Sequence, residues 1–192
     1  MSSLRSGTLM IALTLALGGI LAGDAVTVRA SRPQTEGVGV IRPAWREVKW
    51  PFLLDQWGIG RAYRCAAADC GIEITVYLRP KAGFCNCAEG VSDDAELDRV
   101  GDLELFSDKF VGLSEGREIK VGWMNGRSRS YHVAIPYAAP RNMLAIAFND
   151  KCDVVVATVV ADRDELRAAE RPAVEFLNSD LVLNWAKAEL GI

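Results

Sequence analysis

Four of the chain's five cysteines fall between positions 65 and 87, and the clearest strand of the whole sequence runs between them. In "CAAADCGIEITVYLRPKAGFCNC", Ile72, Ile74, Val76 and Leu78 alternate with Glu73, Thr75, Tyr77 and Arg79. A period of two with β-branched residues predicts a strand with one buried face and one wet face. Cys65 and Cys70 stand before this strand and Cys85 and Cys87 after it, so whatever the sulfurs do fixes both of its ends.

What clustered cysteines do depends on the compartment. The chain opens "MSSLRSGTLMIALTLALGGILAGDA", with Arg5, an apolar stretch from Leu9 to Gly23, and small residues Gly23 and Ala25 at the spacing a signal peptidase reads. This is the layout of a secretory signal peptide over residues 1–25, and the apolar stretch falls short of the ~20 residues a membrane span needs. An uncleaved N-terminal anchor is the alternative. The expected location is therefore periplasmic or secreted, with no membrane insertion after cleavage. Disulfides persist in that setting.

Three uses of the cluster follow. Cys85 and Cys87 lie two apart, so in an extended segment both side chains point the same way. A bridge between them would close a strained ring, and both can reach back to Cys65 and Cys70. Two inter-segment bridges clamping the strand are the leading expectation, with a local Cys65–Cys70 bridge as its variant. A loop of about 15 to 20 residues closed in this way is worth roughly 3 kcal/mol. The second use is a metal centre: the four thiolates suit zinc or copper(I), with His132 and Met124 or Met143 as outlying copper ligands. The third is thiol–disulfide exchange. Redox motifs usually place C-x-x-C at a helix start, whereas this C-x-C is surrounded by Glu89, Asp93 and Asp94, which disfavour a thiolate. Cys152 reads as a buried free cysteine, and His132 as a half-exposed strand residue.

Residues 26–43, "VTVRASRPQTEGVGVIRP", lack periodicity and read as a flexible leader, with a single domain over 44–192. Within it, "AWREVKW" and "RAYRC" are expected strands, and "PFLLDQWGIG" between them is a turn packed by Trp57. "SDDAELDRVG" carries a capping box, Asp93 and Glu96, opening a short helix that buries Leu97 and Val100 and ends at Gly101. "REIKVGWMNGRSRSYHV" predicts a hairpin turning at Asn125-Gly126. "NMLAIAFNDKCDVVVATVVA" predicts a second, turning near Asn149–Lys151, whose apolar second arm is a central strand covered on both faces. The C-terminal region is helical, with Pro172 expected in a first turn, Ser179 or Asn178 as a cap, and Gly191 as the stop. Strands followed by helices give an α+β fold: a mostly antiparallel sheet of two hairpins plus N-terminal strands, with a short middle helix and C-terminal helices packed on it.

For function, the sequence works mainly by exclusion. Net charge is −3 with no basic stripe, so nucleic acid lacks its electrostatic footprint. No P-loop, G-x-G-x-x-G helix start or G-x-S-x-G elbow is present, and His132 is the sole histidine, so no catalytic residue is assigned and no cofactor is expected. The carboxylates at 93–104 lack the EF-hand order and fit a solvated helix. The aromatic and arginine residues of the N-terminal strands, Trp50, Trp57, Arg61, Tyr63, Arg64 and Arg79, form the candidate contact surface. The expectation is an exported, disulfide-stabilised binding or accessory protein whose partner is another periplasmic or envelope protein. The alternative is a cysteine-cluster protein holding zinc or copper, or exchanging disulfides.

Overall fold

The alternation that marks the strand after Cys70 places it third in an eight-stranded antiparallel sheet. The computed structural model describes residues 45–161 and 166–192; the expected signal peptide and leader lie outside them. The strands are β1 (Trp45–Val48), β2 (Arg61–Cys65), β3 (Ile74–Lys81), β4 (Phe110–Gly112), β5 (Arg117–Val121), β6 (Met124–Val133), β7 (Arg141–Asp150) and β8 (Asp153–Ala161). Their order is β1-β2-β3-β8-β7-β6-β4, and β5 pairs with the other half of β6. The helices are α1 (Ala67–Cys70), α2 (Asp94–Val100), α3 (Leu166–Leu177) and α4 (Asp180–Leu190). The fold is α+β, as the sequence predicts.

Two apolar cores form, one on each side of the sheet. Ile74, Val76 and Leu78 of β3 share one with Leu144, Ile146, Phe148, Val155, Ala157 and Val159, and α3 and α4 close it with Phe176, Leu177, Val182 and Trp185. On the opposite side, Met143, Ala145, Ala147, Val154 and Val156 meet Leu97 and Val100 of α2, Leu103, Val91 and Cys85. Covered on both faces, β8 needs no alternation, which is why Val154–Val160 is apolar at every position but Thr158.

Local signals explain most boundaries. Asp93 accepts from the Glu96 amide at 2.7 Å and the Gly101 N–H returns to Leu97 O, so α2 starts and ends as predicted. The reciprocal half of the capping box is absent: the Glu96 carboxylate takes the Asn86 amide and Arg99 instead. Ser179 caps α4 and Gly191, at φ +70°, stops it. Pro172 lies inside α3, not in its first turn, because the helix begins at Leu166.

The first hairpin turns at Gly122-Trp123, where Val121 pairs with Met124, and Asn125-Gly126 is part of β6. Gly122 has φ +59°, matching a turn with glycine in its first central position. Burial decides the register: Val121 and Met124 are both fully buried beside each other, which a turn two residues later would break. Gly126 answers a packing need, since a Cβ there would sit 2.2 Å from Ala147 O. The second hairpin turns at Lys151-Cys152, close to the expected place.

Candidate functional site

The residues expected to form one contact surface are divided by the sheet. Arg61 and Tyr63 face the helical side: Tyr63 is buried against Phe176, with ring centroids 5.0 Å apart, and Arg61 lies 5.8 Å over the Trp185 ring. Trp50, Trp57, Arg64 and Arg79 belong to the other side. Arg64 is exposed beside Glu73 at 4.0 Å.

On that other side the segment between β1 and β2 lies across β3. Trp50, Phe52, Tyr77 and Phe106 make an edge-to-face cluster with centroids 4.9–6.0 Å apart. Trp57 packs on Phe84 at 4.4 Å. Gly60 permits the crossing, because a Cβ there would meet Leu78 O at 2.3 Å and the Trp50 ring at 2.6 Å. Asp55 organises the turn: its carboxylate accepts the Trp57 amide at 2.8 Å, and its carbonyl accepts the Gly58 N–H. The aromatic side chains are thus anchors. What the segment offers to solvent is aliphatic, with Leu53 89%, Leu54 71% and Ile59 66% exposed.

Beneath the loop lies a buried ion cluster. The strand face read as wet in the sequence is covered, and Arg79 is only 3% exposed. The Arg79 guanidinium donates to both Asp102 oxygens, at 2.9 and 2.6 Å, and to Asp55 at 2.5 Å. The Lys81 ammonium donates to Val100 O at 2.7 Å and lies 2.8 Å from Asp102. It also faces the rings of Trp57 and Phe84. Lys81 therefore holds the carbonyl end of α2, where a cation is favoured by the helix dipole. Burial drives its pKa below the ordinary lysine value despite the neighbouring Asp102. Burial opposes ionisation of Asp55, but Arg79 and the Trp57 amide outweigh it, and its pKa falls. Arg79, Lys81 and Asp102 are buried, and Asp55, 39% exposed at the edge of the cluster, supplies the second carboxylate that balances the two cations. A cavity of about 420 Å³ opens between it and the loop, lined by Gln56, Trp57 and Glu104 among others.

The cysteines pair differently from the leading expectation. Cys65 bonds to Cys70, the local variant, and Cys87 bonds to Cys152. The inter-segment clamp is not formed. α1 and Gly71, at φ +79°, fold the 65–71 segment back on itself, bringing its two sulfurs together at the end of β2. Cys152, expected to be a buried free thiol, sits on the turn between β7 and β8 and ties it to the 82–91 loop. Cys85 is the free thiol, buried and donating to Lys151 O at 3.2 Å. Among the described residues no group of three or more His, Cys, Asp or Glu side chains is placed to hold a metal ion. Met124 and Met143 belong to opposite cores, and His132 of β6 bonds its cross-strand neighbour Asn142 of β7 at 3.0 Å.

The acidic helix is not simply solvated. Asp94 pairs with Arg127 at 2.5 Å and accepts the Gly116 amide, while Asp98 receives Arg129 and the Tyr131 hydroxyl. A further cavity, about 500 Å³, lies at the edge of β6 between β4 and β5, where Glu170 already holds Ser128 and Arg117.

The alternation placed Arg79 on the wet face of its strand and gave no sign that its charge is buried. Its partners Asp55 and Asp102 carried no signal, being 24 and 23 positions away. No protein-family model, curated protein or solved structure matches the chain.

Proposed function

We propose that the chain is an exported, disulfide-stabilised binding or accessory protein whose contact element is the Pro51–Gly60 loop, engaging another protein of the cell envelope. The observation that carries this reading is the contrast inside the loop. Its aromatic residues and Asp55 are fastened to the sheet, while Leu53, Leu54 and Ile59 stand in solvent. Anchoring lowers the entropy lost when a loop binds, and grouped exposed aliphatics mark interaction sites. Two disulfides fit an oxidising compartment, and the N-terminal sequence pattern supports export. No described helix is long and apolar enough to cross a membrane. The metal alternative loses support because four of the five thiols are taken up in bridges.

The test is a photo-crosslinking residue at Leu54 in the exported protein, with Arg117, on β5, as the control position. An adduct at 54, absent at 117 and abolished by Leu53→Asp, is expected. Leu53→Asp itself should change stability by no more than about 0.5 kcal/mol, as for other exposed positions. Equal adducts at both positions, or no adduct at 54, would reject the loop as the contact element.

A further inference from the structure

Three of the five cysteines meet where the 82–91 loop lies along the β7–β8 turn. Cys87 is bonded to Cys152, with Cα atoms 4.2 Å apart. The Cys85 amide donates to Cys152 O at 3.1 Å, so its backbone runs directly beside that of Cys152. The Cys85 thiol donates to Lys151 O at 3.2 Å, the carbonyl immediately preceding Cys152. The contact does not depend on the disulfide. Gly83 N–H donates to Asp153 at 2.7 Å, and Val91 N–H to Asn149 at 3.0 Å, holding both ends of the loop to the same turn. Cys85 and Cys87 thus both lie against the Lys151-Cys152 turn, on a segment that is fastened independently.

Burial separates the two. Cys85 is 6% exposed, in a core with Leu97 and Val156, whereas Cys87 is exposed.

We propose that Cys85, Cys87 and Cys152 form an intramolecular disulfide-exchange unit, in which Cys85 displaces Cys87 from Cys152 and presents Cys87 as a surface thiol. The Cys85 thiol first gives its proton to solvent. The thiolate attacks Cys152 Sγ, the Cys85–Cys152 bond forms, and the Cys87–Cys152 bond breaks. Cys87 leaves as a thiolate and takes a proton from water. One disulfide is consumed and one made, so no external oxidant or reductant enters. The exchanged form stores its bond inside and carries its reactive sulfur outside, where a partner's disulfide can meet it. The environment sets when this happens. Burial, then Glu96 and Asp153, push the Cys85 thiol up to about 11, so the exchange is slow at neutral pH and accelerates in alkali. Arg99 is the one cation that opposes them.

The experiment uses the intact exported protein. Folded protein is alkylated with iodoacetamide at pH 7 and pH 9, quenched in acid and mapped by peptide mass. The expected label is on Cys87, with a rate rising about tenfold per pH unit, as the thiolate population does. Label on Cys85 alone, or none until the chain is unfolded, would overturn the proposal. The second arm is Cys87→Ser. It should be exported with two disulfides, Cys65–Cys70 and Cys85–Cys152, and no thiol to alkylate after unfolding. Cys85 and Cys152 both found as free thiols would overturn it equally. If that variant does not fold, the wild-type label map decides alone.

Discussion

The two faces of the sheet are closed by different chemistry. On one, α3 and α4 lay a continuous apolar layer over Tyr63, Val76, Leu144 and Val159, with Trp45 stacked on Phe176 at 4.3 Å. On the other, one short helix, a 3₁₀ turn (Leu103–Leu105) and two long loops do the covering. Irregular backbone supplies fewer regular apolar positions, and that side is fastened by Arg79, Lys81 and Asp102, by Asp94 and Asp98 with their arginines, and by Cys87–Cys152. Two helices close a face chiefly by burial, with Glu170 and Asn178 adding a few bonds to Ser128, Arg117 and Gly122; loops depend more on directional or covalent links, because each must be held at several points against its own conformational entropy.

The largest expected effects would break each face in its own way. Phe176→Ala should cost about 3–5 kcal/mol through lost burial and a cavity. Asp102→Ala should cost a similar 3–5 kcal/mol for another reason, leaving Arg79 and Lys81 buried without their shared carboxylate. Denaturant unfolding separates the two causes. Replacing Arg79, Lys81 and Asp102 together by Met, Met and Leu should restore most of the Asp102→Ala loss, whereas no second substitution that only removes atoms beside residue 176 should restore Phe176→Ala. If the triple variant is as unstable as the single one, the cluster contributes more than mutual neutralisation.

The two disulfides sharpen the same contrast. Cys87–Cys152 spans 65 positions and fastens the loop face; Cys65–Cys70 spans five and closes a local turn. Chain entropy gives roughly 4 kcal/mol for the first and roughly 2 for the second. Cys152→Ser should therefore lower the denaturant midpoint more than the Cys65→Ser, Cys70→Ser double variant. Equal losses would mean that the long bridge adds little to contacts already made.

A further effect appears only in alkali, and again belongs to the loop face. The Cys85 thiol ionises from about pH 9 in the unfolded chain and is held up to about 11 in the folded one. Below pH 9 both states keep the proton and its contribution is constant. Between about 9 and 11 the unfolded chain loses a proton that the native state retains, so stability falls, by at most roughly 2–3 kcal/mol. Cys85→Ala should lack this part of the alkaline decline. Identical pH profiles for the two proteins would show that Cys85 is not held neutral by the fold.

How legible these faces were differs in the same way. The α+β class, the central apolar strand β8, the capped helix α2 and the helix stop at Gly191 follow from patterns within a few residues, where side-chain period and backbone preference act locally. The Asn125-Gly126 signal was equally local and lost to the pairing of Val121 with Met124, because burying two large side chains outweighs a turn preference. The proposed contact element was half legible. Its aromatic residues stand out in the sequence, but its rings point inward and its leucines outward, a choice made only when Tyr77 and Phe106 arrive from elsewhere in the chain.

Local pattern in the sequence is enough for the element types, the antiparallel sheet with its helical layer, and a cysteine content suited to an oxidising compartment. Tertiary structure alone decided which sulfurs bond, which strand face stays wet, and where Arg79 finds its carboxylates. Apart from the local Cys65–Cys70 bridge, these depend on residues brought together from distant positions, as Arg79 with Asp102 and Cys87 with Cys152. Sequence spacing carries no information about such a meeting, because only the closing of both cores brings the partners within reach.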